Sequence, residues 1–176
     1  MIKFLNIYKQ DKLFHPTIIK KIKQLFKKGD FILGKEVELF ENNFKKICNS
    51  KFAISCGNGT DALTIALKSL NLPKNSEVII PAMTYCSTAF SVINAELKPI
   101  LVDTEYLKST IDLNELEKKV SKKTKVILPV HLYGSVANLN GIRKIIGKKK
   151  IFLIDDCAQA HGAFDDSLKN KNVKKV

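Results

Sequence analysis

The stretch Lys125-Val126-Ile127-Leu128-Pro129-Val130, running on into His131-Leu132-Tyr133-Gly134, decides the fold class. Its apolar residues follow one another without the alternation that marks a strand with one wet face. A short run of this kind, bounded by Pro and Gly, reads as a strand covered on both sides. Helices on each face of a parallel sheet provide that cover. Outward from it the pattern repeats, at 150–154 (KIFLI) downstream and at 98–102 (KPILV), 77–80 (EVII) and 51–55 (KFAIS) upstream. Helical patterns fill the intervals at 60–70, 85–95, 112–120 and 138–146. Asp112 and Glu115 stand at capping-box spacing before the third of these, and Gly147 suits the end of the fourth. The class is α/β, with a mostly parallel sheet and helices on both faces.

Two further helices precede this alternation. Residues 16–28 place Ile18, Ile19, Ile22, Leu25 and Phe26 on one face with lysines opposite, and a packed amphipathic helix is expected there. Residues 35–47 place Val37, Phe40, Phe44 and Ile47 together. The composition, 45% hydrophobic and 27% charged, is that of a soluble globular protein. No apolar run is long enough to cross a bilayer, and the first residues lack a signal peptide's apolar core. Cys48, Cys56, Cys86 and Cys157 are scattered without a C-x-x-C pair, so reduced cytosolic thiols are expected rather than disulfides or zinc. The formal charge of +13 raises nucleic acid as a partner. Arg143 is the sole arginine, however, and arginine is the side chain that reads bases and phosphates bidentately, so a solvated lysine-rich surface is the better reading.

Ligands of a parallel α/β sheet bind beyond the carboxyl ends of its strands. Four chemistry-bearing segments fall there: Cys56 to Ala62, Pro81 to Tyr85, Pro129 to Gly134, and Asp155 to Ala163. In the first, Gly57-Asn58-Gly59-Thr60 joins a strand to a helix N-terminus, where free N–H groups and the helix dipole suit a phosphate. The same residues fit G-x-G-x-x-A, yet the next strand ends Ile79-Ile80-Pro81 without the acid that a dinucleotide's ribose requires. A Walker loop is excluded because no Gly-Lys-Ser/Thr follows. Asp155 and Asp156 close the last strand, and strand geometry sends their side chains to opposite faces. No further His, Asp or Glu stands near them at ligand spacing, so no metal site is expected. Tyr85 is either a core aromatic or a platform for a flat ring. His131 and His161 are either catalytic or structural.

In order along the chain, Gly34-Lys-Glu-Val with Phe40-Glu41, Asn58-Gly-Thr-Asp-Ala-Leu63, Glu77-Val-Ile-Ile-Pro81, Lys98-Pro99 with Asp103, Pro129-Val-His-Leu-Tyr-Gly134 and Asp156-Cys-Ala-Gln-Ala-His-Gly-Ala163 resemble the DegT/DnrJ/StrS family of sugar aminotransferases, which depend on pyridoxal phosphate (PLP). The resemblance implies the large domain of an aspartate-aminotransferase-like fold (PLP fold type I). A helical segment at 1–33 would precede a PLP-binding domain at 34–176. It further implies that Gly59 and Thr60 hold the cofactor phosphate, Tyr85 stacks on the ring, Asp156 meets the ring nitrogen and Gln159 reaches the phenolic oxygen. Gly34, His131 and His161 fall on the substrate side. Such enzymes move an amino group, commonly from glutamate, onto a nucleotide-linked keto-sugar, and they work as homodimers in the cytoplasm.

The family's Schiff-base lysine is expected in a Ser-Phe…Lys segment beyond Val176, and so is the small C-terminal domain. Asp165-Asp166 and Lys169 to Lys175 resemble the loop leading there. No catalytic residue is therefore assigned within these residues, and an inactive fragment is the expectation. A sugar dehydratase of the same family, with histidine for that lysine, or a non-catalytic partner subunit, are the alternatives.

Overall fold

The computed structural model describes residues 4–163; Asp165, Asp166 and Lys169 to Lys175, read above as a connecting loop, lie outside the described residues. Along the chain run α1 (Ile7–Asp11), α2 (His15–Lys28), α3 (Lys35–Ile47), α4 (Gly59–Ser69), β1 (Glu77–Pro81), α5 (Cys86–Asn94), β2 (Lys98–Val102), α6 (Leu113–Lys119), β3 (Thr124–Ile127), α7 (Leu139–Ile146) and β4 (Phe152–Leu153). The four strands form one parallel sheet in the order β2-β1-β3-β4, with α5 between β1 and β2, α6 between β2 and β3 and α7 between β3 and β4 in sequence.

The continuous apolar runs divide between the two faces residue by residue. Val78, Ile80, Val126, Leu128 and Val130 join Leu67 of α4 and Val92 of α5 in one core. Ile79 and Ile127 join Leu116 of α6 with Leu139 and Ile142 of α7 in the other. Ile79, Ile127 and Leu128 are wholly buried, and burying a side chain of that size contributes about 1.5–3 kcal/mol. With both faces covered there is no wet side for polar residues to occupy, hence no alternation.

The helices start where short polar side chains can cap them. The Asn58 side chain accepts from Asp61 N at the head of α4, and Asn138 accepts from Gly141 N at the head of α7. Asp112 accepts from Asn114 N and Glu115 N at the head of α6. The capping box expected there is only half formed: Asp112 N donates to Asp103 O at 3.0 Å, and Glu115 pairs with Lys118 at 2.7 Å.

Two expectations need correction. Residues 51–55 belong to no ladder, and Phe52 and Ile54 are 70% and 86% exposed. A strand exists only beside a partner, and no strand among the described residues lies against this one. Ser55 N donates instead to the Glu41 carboxylate of α3 at 2.7 Å. Helix α2 forms as expected but buries none of its residues, leaving Ile22 46% and Phe26 71% exposed. Its tie to α3 is the surface ion pair Lys21–Glu36, a weak kind of contact. No helix among the described residues is long and apolar enough to cross a membrane.

Candidate cofactor site

From β1 the chain crosses to β2 on one side, then returns to β3 on the other. That reversal opens a crevice at the carboxyl ends of β1 and β3, where such sheets bind ligands. A cavity of about 350 Å³ lies at this end, lined by Asn58, Gly59, Thr60, Tyr85, Thr88 and Asp156 among others. Four residues singled out from the sequence, Gly59, Thr60, Tyr85 and Asp156, thus meet in one place.

One wall is the start of α4. The first N–H groups of a helix have no partner inside it. Here the Asn58 side chain takes only that of Asp61, which leaves those of Gly59 and Thr60 without acceptors among the described residues. A Cβ built on Gly59 would meet nothing within 4 Å, so the space above this helix end is open. Thr60 Oγ1 donates to Ser87 Oγ at 2.8 Å, joining α4 to the first turn of α5. Tyr85 sits at the N-cap of α5 and is 70% exposed. Two unpaired N–H groups at a positive helix end are the fittings an anionic phosphate requires.

The opposite wall is Asp156. Its Oδ1 accepts from Ala158 N at 3.1 Å and its Oδ2 from the Thr88 hydroxyl at 3.4 Å. Thr88 is buried and also meets Thr84 Oγ1 at 2.9 Å. Sequence reading missed both Ser87 and Thr88. The available signal was the spacing of Thr84 and Thr88, one helical turn apart around Tyr85.

The remaining candidates stand elsewhere. Gln159 is tied by its Oε1 to Tyr133 N at 2.7 Å, which leaves its NH₂ group to donate. Tyr133 itself holds a left-handed backbone, φ 55°, in the turn after β3. His161 is exposed, edge-on to Phe44 at 5.6 Å, in an adjoining cavity of about 570 Å³ that also borders Asp156. His131 is wholly buried and lines neither of these two cavities. Gly34 caps α3 against the Asp30 carboxylate and is not among the lining residues either. Next to Asp156, burial pushes the Cys157 thiol up to about 12, with the Asp155 and Asp156 carboxylates adding to the effect.

The family model described as the DegT/DnrJ/EryC1/StrS aminotransferase family matches residues 14–174. The chain is 34% identical to dTDP-3-amino-3,6-dideoxy-alpha-D-galactopyranose transaminase of Aneurinibacillus thermoaerophilus over 93% of its own length and 45% of that protein's. Its fold is similar to that of S. venezuelae DesV, solved in complex with a ketimine intermediate, with a TM-score of 0.87 and 30% identity, covering 92% of this chain and 43% of that one. It is also similar to E. coli GDP-4-keto-6-deoxy-D-mannose-3-dehydratase, solved with bound hydrated PLP, at a TM-score of 0.74 and 30% identity over 78% of this chain and 37% of the other. The chain thus spans about half the length of the curated relatives it matches.

Proposed function

This chain belongs to the DegT/DnrJ/EryC1/StrS aminotransferase family, and from that premise we propose that it is the cofactor-binding part of an enzyme that transfers an amino group, with glutamate as donor, to a nucleotide-linked keto-sugar. The observation that carries the reading is the cavity that Gly59, Thr60, Asp156 and Tyr85 line together, with the N–H groups of Gly59 and Thr60 lacking acceptors among the described residues. Pyridoxal phosphate, the family's cofactor, supplies when bound a ring that withdraws electrons and carries the amino group.

The chain's own residues have distinct tasks in this scheme. The head of α4 binds the phosphate through backbone N–H groups and the helix dipole, so orientation does not depend on a flexible cation. Tyr85 lies against the flat ring. Asp156, oriented by Ala158 N and Thr88, holds a proton on the ring nitrogen, because a carboxylate beside it favours the charged form. Gln159, with its carbonyl oxygen already engaged, offers its NH₂ to the phenolic oxygen. His161, exposed beside the same crevice, is placed on the substrate side. Residues 1–33 form a helical segment and 34–176 the PLP-binding domain of a cytoplasmic homodimer that makes amino sugars for surface polysaccharide or glycan.

A second reading, dehydration of the sugar, is favoured by the likeness to the E. coli dehydratase. The test is to mix the full-length PLP-loaded protein with glutamate, follow 2-oxoglutarate release, and then add nucleotide-linked keto-sugars. Stoichiometric amination of a sugar supports the proposal. Loss of a sugar hydroxyl without net amination replaces it with the second reading, and neither reaction with any nucleotide keto-sugar overturns both.

A further inference from the structure

We propose that His131 is a positioning residue that acts through Asp155 to fix the strand end carrying Asp156; the inference rests on the reading of Asp156 as partner of the ring nitrogen. His131 is 0% exposed. Its Nδ1 accepts a hydrogen bond from Ala137 N at 3.0 Å, so that nitrogen carries a lone pair and the neutral ring holds its proton on Nε2. Nε2 in turn faces Asp155 Oδ1 at 3.7 Å. Both atoms are buried, and neither has any other partner among the described residues. A buried donor and a buried acceptor that face each other satisfy both by closing on each other. A movement of about half an ångström brings them into hydrogen-bond range.

The main chain completes the latch. His131 N donates to Asp156 O, and Asp156 N donates to Pro129 O, each at 3.0 Å. His131 therefore grips residue 155 with its ring and residue 156 with its backbone. Regular pairing of β4 ends at Leu153, and beyond it the main chain is held by Ile154 N to Ile127 O at 3.1 Å and by the isolated bridge Val130–Asp156. The ring contact adds a side-chain tie at residue 155, between these backbone bonds. Asp155 and Asp156 are adjacent in the chain and both border the larger cavity, so a shift that frees one moves the other.

The test uses the full-length protein and pyridoxamine phosphate, which lacks the aldehyde and is held without a covalent bond. Asp155→Ala removes the acceptor, whereas Asp155→Asn keeps an oxygen for Nε2–H. Likewise His131→Phe removes the donor, and His131→Gln keeps an N–H near the position of Nε2. We expect Asp155→Ala and His131→Phe to weaken pyridoxamine phosphate binding about five- to tenfold, the scale of one buried hydrogen bond. They should also shift the absorption band that reports protonation of the ring nitrogen. Asp155→Asn and His131→Gln should stay within about twofold of the parent. Should His131→Phe fail to fold, the Asp155 pair decides alone. If Asp156→Asn moves affinity and spectrum while Asp155→Ala matches the parent in both, the latch is wrong and the site reading stands. If Asp156→Asn itself changes neither, the site reading fails first. Equal losses in Asp155→Ala and Asp155→Asn also overturn the latch.

Discussion

The Thr88 hydroxyl reaches Asp156 Oδ2 at 3.4 Å across 68 residues of sequence, and Thr84 Oγ1 lies 2.9 Å from the same hydroxyl. The directions follow from the carboxylate, which can only accept: Thr88 donates to Asp156, and Thr84 donates to Thr88. A side chain of α5 thereby aims a carboxylate that lies three residues beyond β4. Thr88→Val keeps the shape and deletes the hydroxyl. It should lower folding stability by about 1–2 kcal/mol through two lost hydrogen bonds and weaken pyridoxamine phosphate binding, while Thr88→Ser retains both properties. Thermal denaturation and fluorescence titration of the three proteins check this, and a Val variant that binds like the parent removes Thr88 from the site.

The open space above Gly59 separates a structural glycine from one that serves a ligand. Since a Cβ there would touch nothing within 4 Å, Gly59→Ala should change folding stability by less than about 0.5 kcal/mol. In the complex the methyl group occupies room needed for a phosphate to approach backbone N–H groups. Affinity for pyridoxamine phosphate should therefore fall severalfold, whereas binding of pyridoxamine, which has no phosphate, stays as it was. Equal effects on the two ligands would place the phosphate elsewhere.

Cys157 gives the site a pH dependence of its own. Burial is the main cause that lifts its thiol from 9.0 to about 12, and the carboxylates of Asp155 and Asp156 come next. The folded chain thus holds this proton more tightly than the unfolded chain does. As pH rises, the unfolded chain loses the proton first, so the stabilisation is complete below pH 9, falls above it, and is gone past about 12. Cys157→Ala should accordingly show a shallower loss of stability above pH 9 in denaturant titrations. At neutral pH iodoacetamide should label the exposed Cys56 and Cys86 well before Cys157. Labelling of Cys157 at the rate of Cys86 would contradict the raised value.

Legibility in the sequence followed the range of the interactions. The runs around Ile79 and Ile127 revealed a two-faced sheet because burial on both sides leaves a local mark, the absence of alternation. Asn58, Asp112 and Asn138 marked helix starts because a cap is made within three residues. The segment around Phe52 and Ile54 carried the composition of a strand, but composition does not supply the neighbour a ladder requires. Gly59, Thr60, Tyr85 and Asp156 were singled out because short motifs around them carry the family resemblance, and they line one cavity. Thr88 and Ser87 were not, because their roles depend on partners 68 and 27 residues away. The burial of His131 escaped for the same reason: what its ring faces is set by the register of β3 against the end of β4.

The charge of +13 leads to the final prediction. Binding of duplex DNA needs cations that track phosphates, and sequence readout needs the planar fork of arginine. Arg143 is the only arginine. Lys122, Lys125, Lys149 and Lys150 gather around a cavity at the amino ends of β3 and β4, the far end of the sheet from Asp156. Two of them are partly committed to carbonyls, Lys125 to Lys122 O at 3.4 Å and Lys149 to Ile145 O at 2.7 Å. Lysines placed this way attract polyanions as point charges, without register on a groove. Any affinity for duplex DNA should therefore be indifferent to sequence and fall steeply between about 50 and 200 mM salt, as counterion release dictates. It should also leave pyridoxamine phosphate binding unchanged. Fluorescence anisotropy with several duplexes over that salt range measures this, and a complex that persists at physiological salt with a sequence preference would assign the lysines a function that the single arginine argues against.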